Sequence, residues 1–163
     1  MPKQAVLAIG GNLGDRAATL DSAVAAIDAH PAIQVLKRSP NVESVALTPS
    51  GFDESLPAYL NGVVLVSTTL KPKKLLDALR QIETDHGRVR VERWGSRTLD
   101  IDIIAFDGVI KAGKNLTIPH PRAHERAFVL VPWLMLDADA VLPGYGPIAA
   151  LIEDLHEEIR VVA

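Results

Sequence analysis

With 163 residues, a formal net charge of −3 and no cysteine, the chain has the size of one domain with one core, predicted to span residues 1–163. The mild negative charge excludes wholesale binding to nucleic acid or to a membrane surface, so a local basic cluster marks a site. Absence of cysteine excludes a disulfide framework, a thiolate metal centre and a cysteine nucleophile, and is compatible with the cytoplasm. The longest apolar run, AFVLVPWLML at 127–136, falls short of the ~20 residues a bilayer span needs, and MPKQAVLAIGGNLGDR lacks the form of a signal peptide. The expectation is a soluble cytoplasmic protein without a membrane partner.

In chain order, QAVLAIG at 4–10 is an apolar run closed by glycines and predicts a buried first strand. DRAATLDSAVAAIDAH at 15–30 sets Leu20, Val24 and Ile27 at helical spacing, with Pro31 as the stop. Residues 33–47 predict a second strand interrupted near Pro40, and TPSGFDESLP at 48–57 predicts a loop that could serve as a lid. AYLNGVVLVSTTL at 58–70 predicts a central strand, and KPKKLLDALRQIETDHG at 71–87 a helix opened by Pro72 and ended by Gly87. TLDIDIIAFDG at 98–108 alternates as a strand, and VIKAGKNLTIPHP at 109–121 predicts a small hairpin. HERAFVLVPWLMLDAD at 124–139 and PIAALIEDLHEEI at 147–159 predict closing helices. The order βαββαβ, with C-terminal helical and hairpin additions, predicts an α+β fold. Its expected form is a ferredoxin-like α/β sandwich whose sheet carries two helices on one face.

Asp100 and Asp102 stand two apart on a strand, so both carboxylates leave one face while Leu99, Ile101 and Ile103 turn to the core. Adjacent carboxylates repel unless a cation lies between them, and Mg²⁺ is held by one or two carboxylates together with phosphate oxygens and waters. The plainer reading is a solvated strand face paired with Arg97 or a lysine. Just before it, RVRVERWGSR supplies Arg88, Arg90, Arg93 and Arg97, whose forks of donors match phosphate oxygens, with Trp94 among them. The alternatives there are a solvated basic loop or a single-strand nucleic-acid patch with Trp94 stacked on a base. Paired aspartates on the next strand would repel such a backbone. GGNLGDR has neither the P-loop ending nor the dinucleotide spacing, and is assigned to a turn tied by Asn12 and to a pocket wall.

IPHPRAHERAF gathers His120, Arg122, His124 and Arg126. Pro121 argues against a zinc pair on one continuous helix. A histidine and an arginine on triphosphate oxygens is the functional reading, against exposed charges on a helix turn. Tyr59 and Phe128 could flank a flat ring whose edge the Asn61 amide would satisfy, though each alone reads as core.

Taken together, RVRVERWGSRTLDIDI, IPHPRAHERAFVLVPW, PAYLNGVVLV and AIGGNLGDR resemble, over nearly the whole chain and in the same order, the 6-hydroxymethyl-7,8-dihydropterin pyrophosphokinases of folate biosynthesis. The resemblance implies transfer of the β,γ-diphosphoryl group of ATP to the pterin hydroxymethyl oxygen, release of AMP, two Mg²⁺ ions and no nucleic-acid partner. By motif position it implies that Asp100 and Asp102 are catalytic metal ligands. Arg88 and Arg97 match catalytic arginines that close over the triphosphate, supported by Arg90, Arg93 and Trp94. His120 and Arg126 match phosphate contacts, and Thr117 a contact near the nucleoside. Tyr59 and Phe128 would sandwich the pterin, Asn61 would bond its edge, and Glu83 would support the site from behind.

Three positions depart from the family pattern. Ser96 replaces proline, VESVALTPSG at 42–51 replaces a Tyr-x-Thr-x-Pro-type stretch that contacts the pterin, and Asn115 stands where some members carry arginine. The altered stretch motivates an alternative, a non-catalytic nucleotide- or pterin-binding domain of the same fold. A monomer is expected.

Overall fold

The computed structural model describes residues 1–12, 14–44, 46–48, 51–53, 58–87, 98–155 and 159–162. Strand β1 (Lys3–Gly11) leads into α1 (Arg16–Ala29), which is capped by Asp15, whose carboxylate accepts the Ala18 N–H at 3.1 Å. Leu20, Ala23 and Ile27 form the buried stripe of α1, with Val24 partly buried beside it.

The predicted interrupted strand is two strands, β2 (Ile33–Arg38) and β3 (Asn41–Ser44). Pro40 has no N–H for a ladder, and Ser39 bridges the gap by taking the Val63 N–H on its Oγ at 2.9 Å. Where the sequence predicts the end of that strand running into a loop, β4 (Ala46–Thr48) pairs antiparallel with β5 (Gly51–Asp53). Backbone bonds make that ribbon, so side-chain periodicity does not announce it.

Strand β6 (Tyr59–Thr68) is followed by α2 (Pro72–Asp85), which starts on Pro72, where a missing N–H is harmless. It ends before Gly87, whose φ of 72° suits glycine. Next come β7 (Asp100–Phe106) and the predicted hairpin, β8 (Lys111–Ala112) with β9 (Thr117–Ile118).

The predicted helix at 124–139 is shorter. A 3-10 turn at Ala123–Glu125 precedes α3 (Ala127–Leu136), because Arg126 is extended at φ −113° and ψ 100°. At the other end Asp137 leaves the helix at φ −150°, and its carboxylate accepts the Asp139 N–H at 3.0 Å. A second small ribbon, β10 (Val141–Leu142) with β11 (Gly146–Pro147), leads into α4 (Ile148–Glu153). The predicted closing helix therefore stops well before Ile159. Instead β12 (Arg160–Val162) pairs with β3, and its two valines extend an edge that would otherwise present unpaired backbone.

The main sheet runs β12-β3-β6-β1-β7, with β2 also on β6. Without the additions, the succession β1, α1, β2–β3, β6, α2, β7 is the predicted ferredoxin-like sandwich. As predicted, α1 and α2 share one face, where Leu7, Ile9, Leu20, Leu75, Leu79 and Ile101 are buried together. The additions cover the opposite face, where Val63, Ile104, Leu130, Trp133, Leu142 and Ile148 form a second cluster. Among the described residues no helix is long and apolar enough to cross a membrane.

Candidate active site

Strand parity decides which side chains meet. In β7 the buried Ile101 and Ile103 belong to the α1/α2 face, so Asp100 and Asp102 emerge on the α3 face, half-buried. Cross-strand partners share a face, and the register joins Asp100 to Gly10 and Gly10 to Asn61 in one row. Two strand spacings separate Asp100 from Asn61, about 10 Å. Between them Gly10 has no side chain, and a Cβ there would overlap the Asn61 amide oxygen. With no Cβ, Gly10 leaves room for the Asn61 amide to lie over it, in the row that leads to Asp100.

Asn61 is 7% exposed and donates its Nδ2–H to Ser44 Oγ at 3.0 Å, across the β3–β6 pair. Tyr59, opposite Ser44, lies on the same face. On the reverse face Arg16 donates to Ala58 O at 2.8 Å and reaches Glu43 at 3.4 Å, tying α1 to the end of β3 and the start of β6.

Strand β7 is the sheet edge, so the Ile101 N–H and C=O face away from β1. Helix α2 supplies their partners. Glu83 Oε2 accepts the Ile101 N–H at 2.7 Å, while Arg80 Nη1 donates to Ile101 O at 2.9 Å and to Glu83 Oε2 at 2.8 Å. Glu83 is 1% exposed, and its charge is balanced by this guanidinium. The other Arg80 nitrogen comes within 3.9 Å of Asp102. Sequence reasoning missed Arg80. The signal available was a glutamate inside the apolar stripe of Leu75, Leu76, Leu79 and Ile82, which demands a cation one turn away.

His120 is placed by a register shift in β7. Leu7 pairs with Ile103 and Val6 with Ala105, which leaves Ile104 unpaired, and its carbonyl accepts the His120 N–H at 2.9 Å. The Arg122 backbone N–H donates to His120 Nδ1 at 3.2 Å, so the proton of the neutral ring sits on Nε2, 4.0 Å from Asp102 Oδ2. Burial holds the His120 pKa below its ordinary value; the Asp102 charge opposes this, and Arg126 and Arg122 add to it. At neutral pH the ring is thus a donor rather than half of an ion pair.

Arg126 lies over the Phe128 ring at 5.7 Å to the centroid, in a cation–π contact. Thr117 sits on β9, packed beside β7, with its hydroxyl 3.4 Å from Gly113 O. Asn115 is exposed in the same hairpin. Arg88, Arg90, Arg93, Trp94, Ser96 and Arg97 lie outside the described residues.

The donor set suits Mg²⁺, a hard cation that takes oxygen ligands and keeps positions for phosphate and water. Among the described residues no cluster of three or more histidines, cysteines or acids could cage a metal alone. An ion at Asp100 and Asp102 would therefore be completed by substrate oxygens.

Two carboxylates and a neutral imidazole at a sheet edge, with a buried amide further along the row, suit polyphosphate chemistry on a ring-bearing acceptor. The class is that of the ATP-dependent, Mg²⁺-assisted transferases. Residues 6–138 match the family model described as 7,8-dihydro-6-hydroxymethylpterin-pyrophosphokinase (HPPK), and the chain belongs to that family. It is 38% identical over 159 residues to the 2-amino-4-hydroxy-6-hydroxymethyldihydropteridine pyrophosphokinase of Haemophilus influenzae, covering 96% of this chain and 97% of the relative. The enzyme of the same name from Mycobacterium leprae is 46% identical over 153 residues, 86% of this chain and 75% of the relative. A crystal structure of wild-type Plasmodium falciparum HPPK-DHPS aligns with a TM-score of 0.71 at 14% identity. It covers 94% of this chain and 41% of that longer one, a likeness of fold.

Proposed function

We propose that the protein transfers the β,γ-diphosphoryl group of ATP to the hydroxymethyl oxygen of 6-hydroxymethyl-7,8-dihydropterin, yielding AMP and the pterin diphosphate for folate biosynthesis. The observation that carries this reading is the row Asp100–Gly10–Asn61, which sets the carboxylates proposed to bind metal and the amide proposed to bond the pterin edge about 10 Å apart on one face of the sheet. No observation favours a non-catalytic binding domain.

In this scheme Asn61 bonds the pterin edge while Tyr59 and Phe128 cover its faces. Asp100 and Asp102 would hold two Mg²⁺ ions, which would supply neutralisation of the phosphate charge. His120 gives its Nε2–H, and Arg126 its guanidinium, to phosphate oxygens; Thr117 lies beside the nucleoside. Arg88 and Arg97, supported by Arg90, Arg93 and Trp94, grip the triphosphate. The hydroxymethyl oxygen attacks Pβ and loses its proton to water. The bond from Pβ to the α,β-bridging oxygen breaks, and AMP leaves with that oxygen. Positioning and charge neutralisation do most of the work in such a transfer. The protein acts as a single-domain monomer in the cytoplasm, a reducing setting that the absence of cysteine suits.

The test is to incubate the protein with ATP, Mg²⁺ and the pterin alcohol and to quantify AMP and ADP with and without the pterin. Pterin-dependent AMP is expected. ADP in its place, or AMP independent of pterin, would refute the assignment.

A further inference from the structure

We propose that Arg80 is a positioning residue for the metal-binding strand, acting through the main chain of Ile101 on Asp100 and Asp102. The inference rests on the metal role of those two aspartates. Ile101 lies between them, and its N–H and C=O belong to the two peptide planes that flank it. Glu83 Oε2 holds the first plane through the N–H at 2.7 Å, and Arg80 Nη1 holds the second through the carbonyl at 2.9 Å. Arg80 also bonds Glu83 at 2.8 Å, which closes a ring of three contacts. With both planes pinned, the relative direction of the two Cα–Cβ bonds is fixed, and with it the separation of the carboxylates.

An edge strand has a neighbouring strand on one side only, here β1, and none on the other to impose this order. The ring takes the place of one, and does so at the residue between the two ligands.

The approach of Arg80 to Asp102 completes the argument. At 3.9 Å the second guanidinium nitrogen is too far for a hydrogen bond, so it lends positive charge without bonding to Asp102 Oδ1. Only a planar fork serves two acceptors with one end while keeping the other near a third group. Lysine, a point charge on a flexible stem, retains the charge and loses the geometry.

The test is Arg80→Lys, read by electron paramagnetic resonance titration of Mn²⁺ into protein holding an α,β-methylene ATP analogue. Partners that orient metal ligands typically change metal affinity by 10–100-fold, so a weakening of roughly tenfold is expected. The Mg²⁺ concentration giving half-maximal AMP formation should rise in parallel, with kcat at saturating Mg²⁺ and the pterin KM nearly unchanged. Should Arg80→Lys fail to fold, the Arg80→Met/Glu83→Met pair removes the buried carboxylate together with its guanidinium partner and leaves no uncompensated buried charge; the same weakening is expected. A folded variant with parental Mn²⁺ affinity, even one with a lowered melting temperature, overturns the positioning role alone. Undiminished Mn²⁺ binding in Asp102→Asn would overturn the metal assignment beneath it.

Discussion

Gly10→Ala adds one methyl to the floor of the site, and its effect can be worked out from the neighbours. The new Cβ would overlap Asn61 Oδ1 and lie 3.4 Å from the Leu60 carbonyl, so the Asn61 amide must swing away. That breaks its 3.0 Å bond to Ser44, where both residues are buried. Forcing a methyl into a filled space costs about 1–3 kcal/mol, and the lost buried hydrogen bond about 1 kcal/mol more. The sum, about 2–4 kcal/mol, should appear in urea melts. With Asn61 displaced, the pterin edge loses its partner, and the pterin KM should rise by roughly tenfold or more. The ATP KM depends on groups further along the row and should change much less. Truncating Asn61 makes room for the methyl, so Gly10→Ala/Asn61→Ala should be less destabilised than the sum of the two single changes. A Gly10→Ala protein with parental stability and parental pterin KM would refute the whole chain of reasoning.

Asp100→Asn and Asp102→Asn should each lower pterin-dependent AMP formation by at least about 100-fold while circular dichroism stays parental; retained turnover in both would remove the metal role. Glu83→Ala strips the buried partner from Arg80 and from the Ile101 N–H, and should cost about 3–5 kcal/mol in urea unfolding; an unmoved midpoint would show the ring to be unimportant. His120 has a folded pKa below its ordinary 6.5, so the unfolded chain takes up a proton that the folded chain refuses. Its share of stability is therefore complete above about pH 6.5 and is lost as pH falls below that towards the folded value. His120→Gln should flatten the melting-temperature profile over that acid range, and identical profiles for parent and variant would contradict the shift.

What could be read in the sequence follows from what each signal depends on. The Asp100/Asp102 pair was legible because strand parity is a local rule, and the direction of both side chains follows from Leu99, Ile101 and Ile103 taking the core. The order βαββαβ was legible because each element carries its own period and punctuation, such as Pro72 and Gly87 around α2. Register is not local. That Gly10 falls between Asp100 and Asn61 depends on how three separated strands align, and no single segment encodes it. Strand β12 lies beyond the predicted closing helix and had no reading of its own, because its pairing is supplied by β3, far away in sequence. The late start and early end of α3 followed from one extended arginine and one aspartate, Arg126 and Asp137, which a run of apolar residues masks. Arg80 escaped notice because arginine on a helix is ordinary until its glutamate neighbour proves buried.

The two faces of the sheet carry different duties. Helices α1 and α2 meet the larger apolar cluster, whereas the row of Asp100, Gly10 and Asn61 lies on the side that α3 and α4 cover beyond it. Robustness and turnover can therefore be engineered on opposite sides of one sheet. Substitutions on the outer surfaces of α1 and α2 that improve helix propensity, with Arg80 and Glu83 spared, should raise heat tolerance without touching any group that meets ATP or pterin.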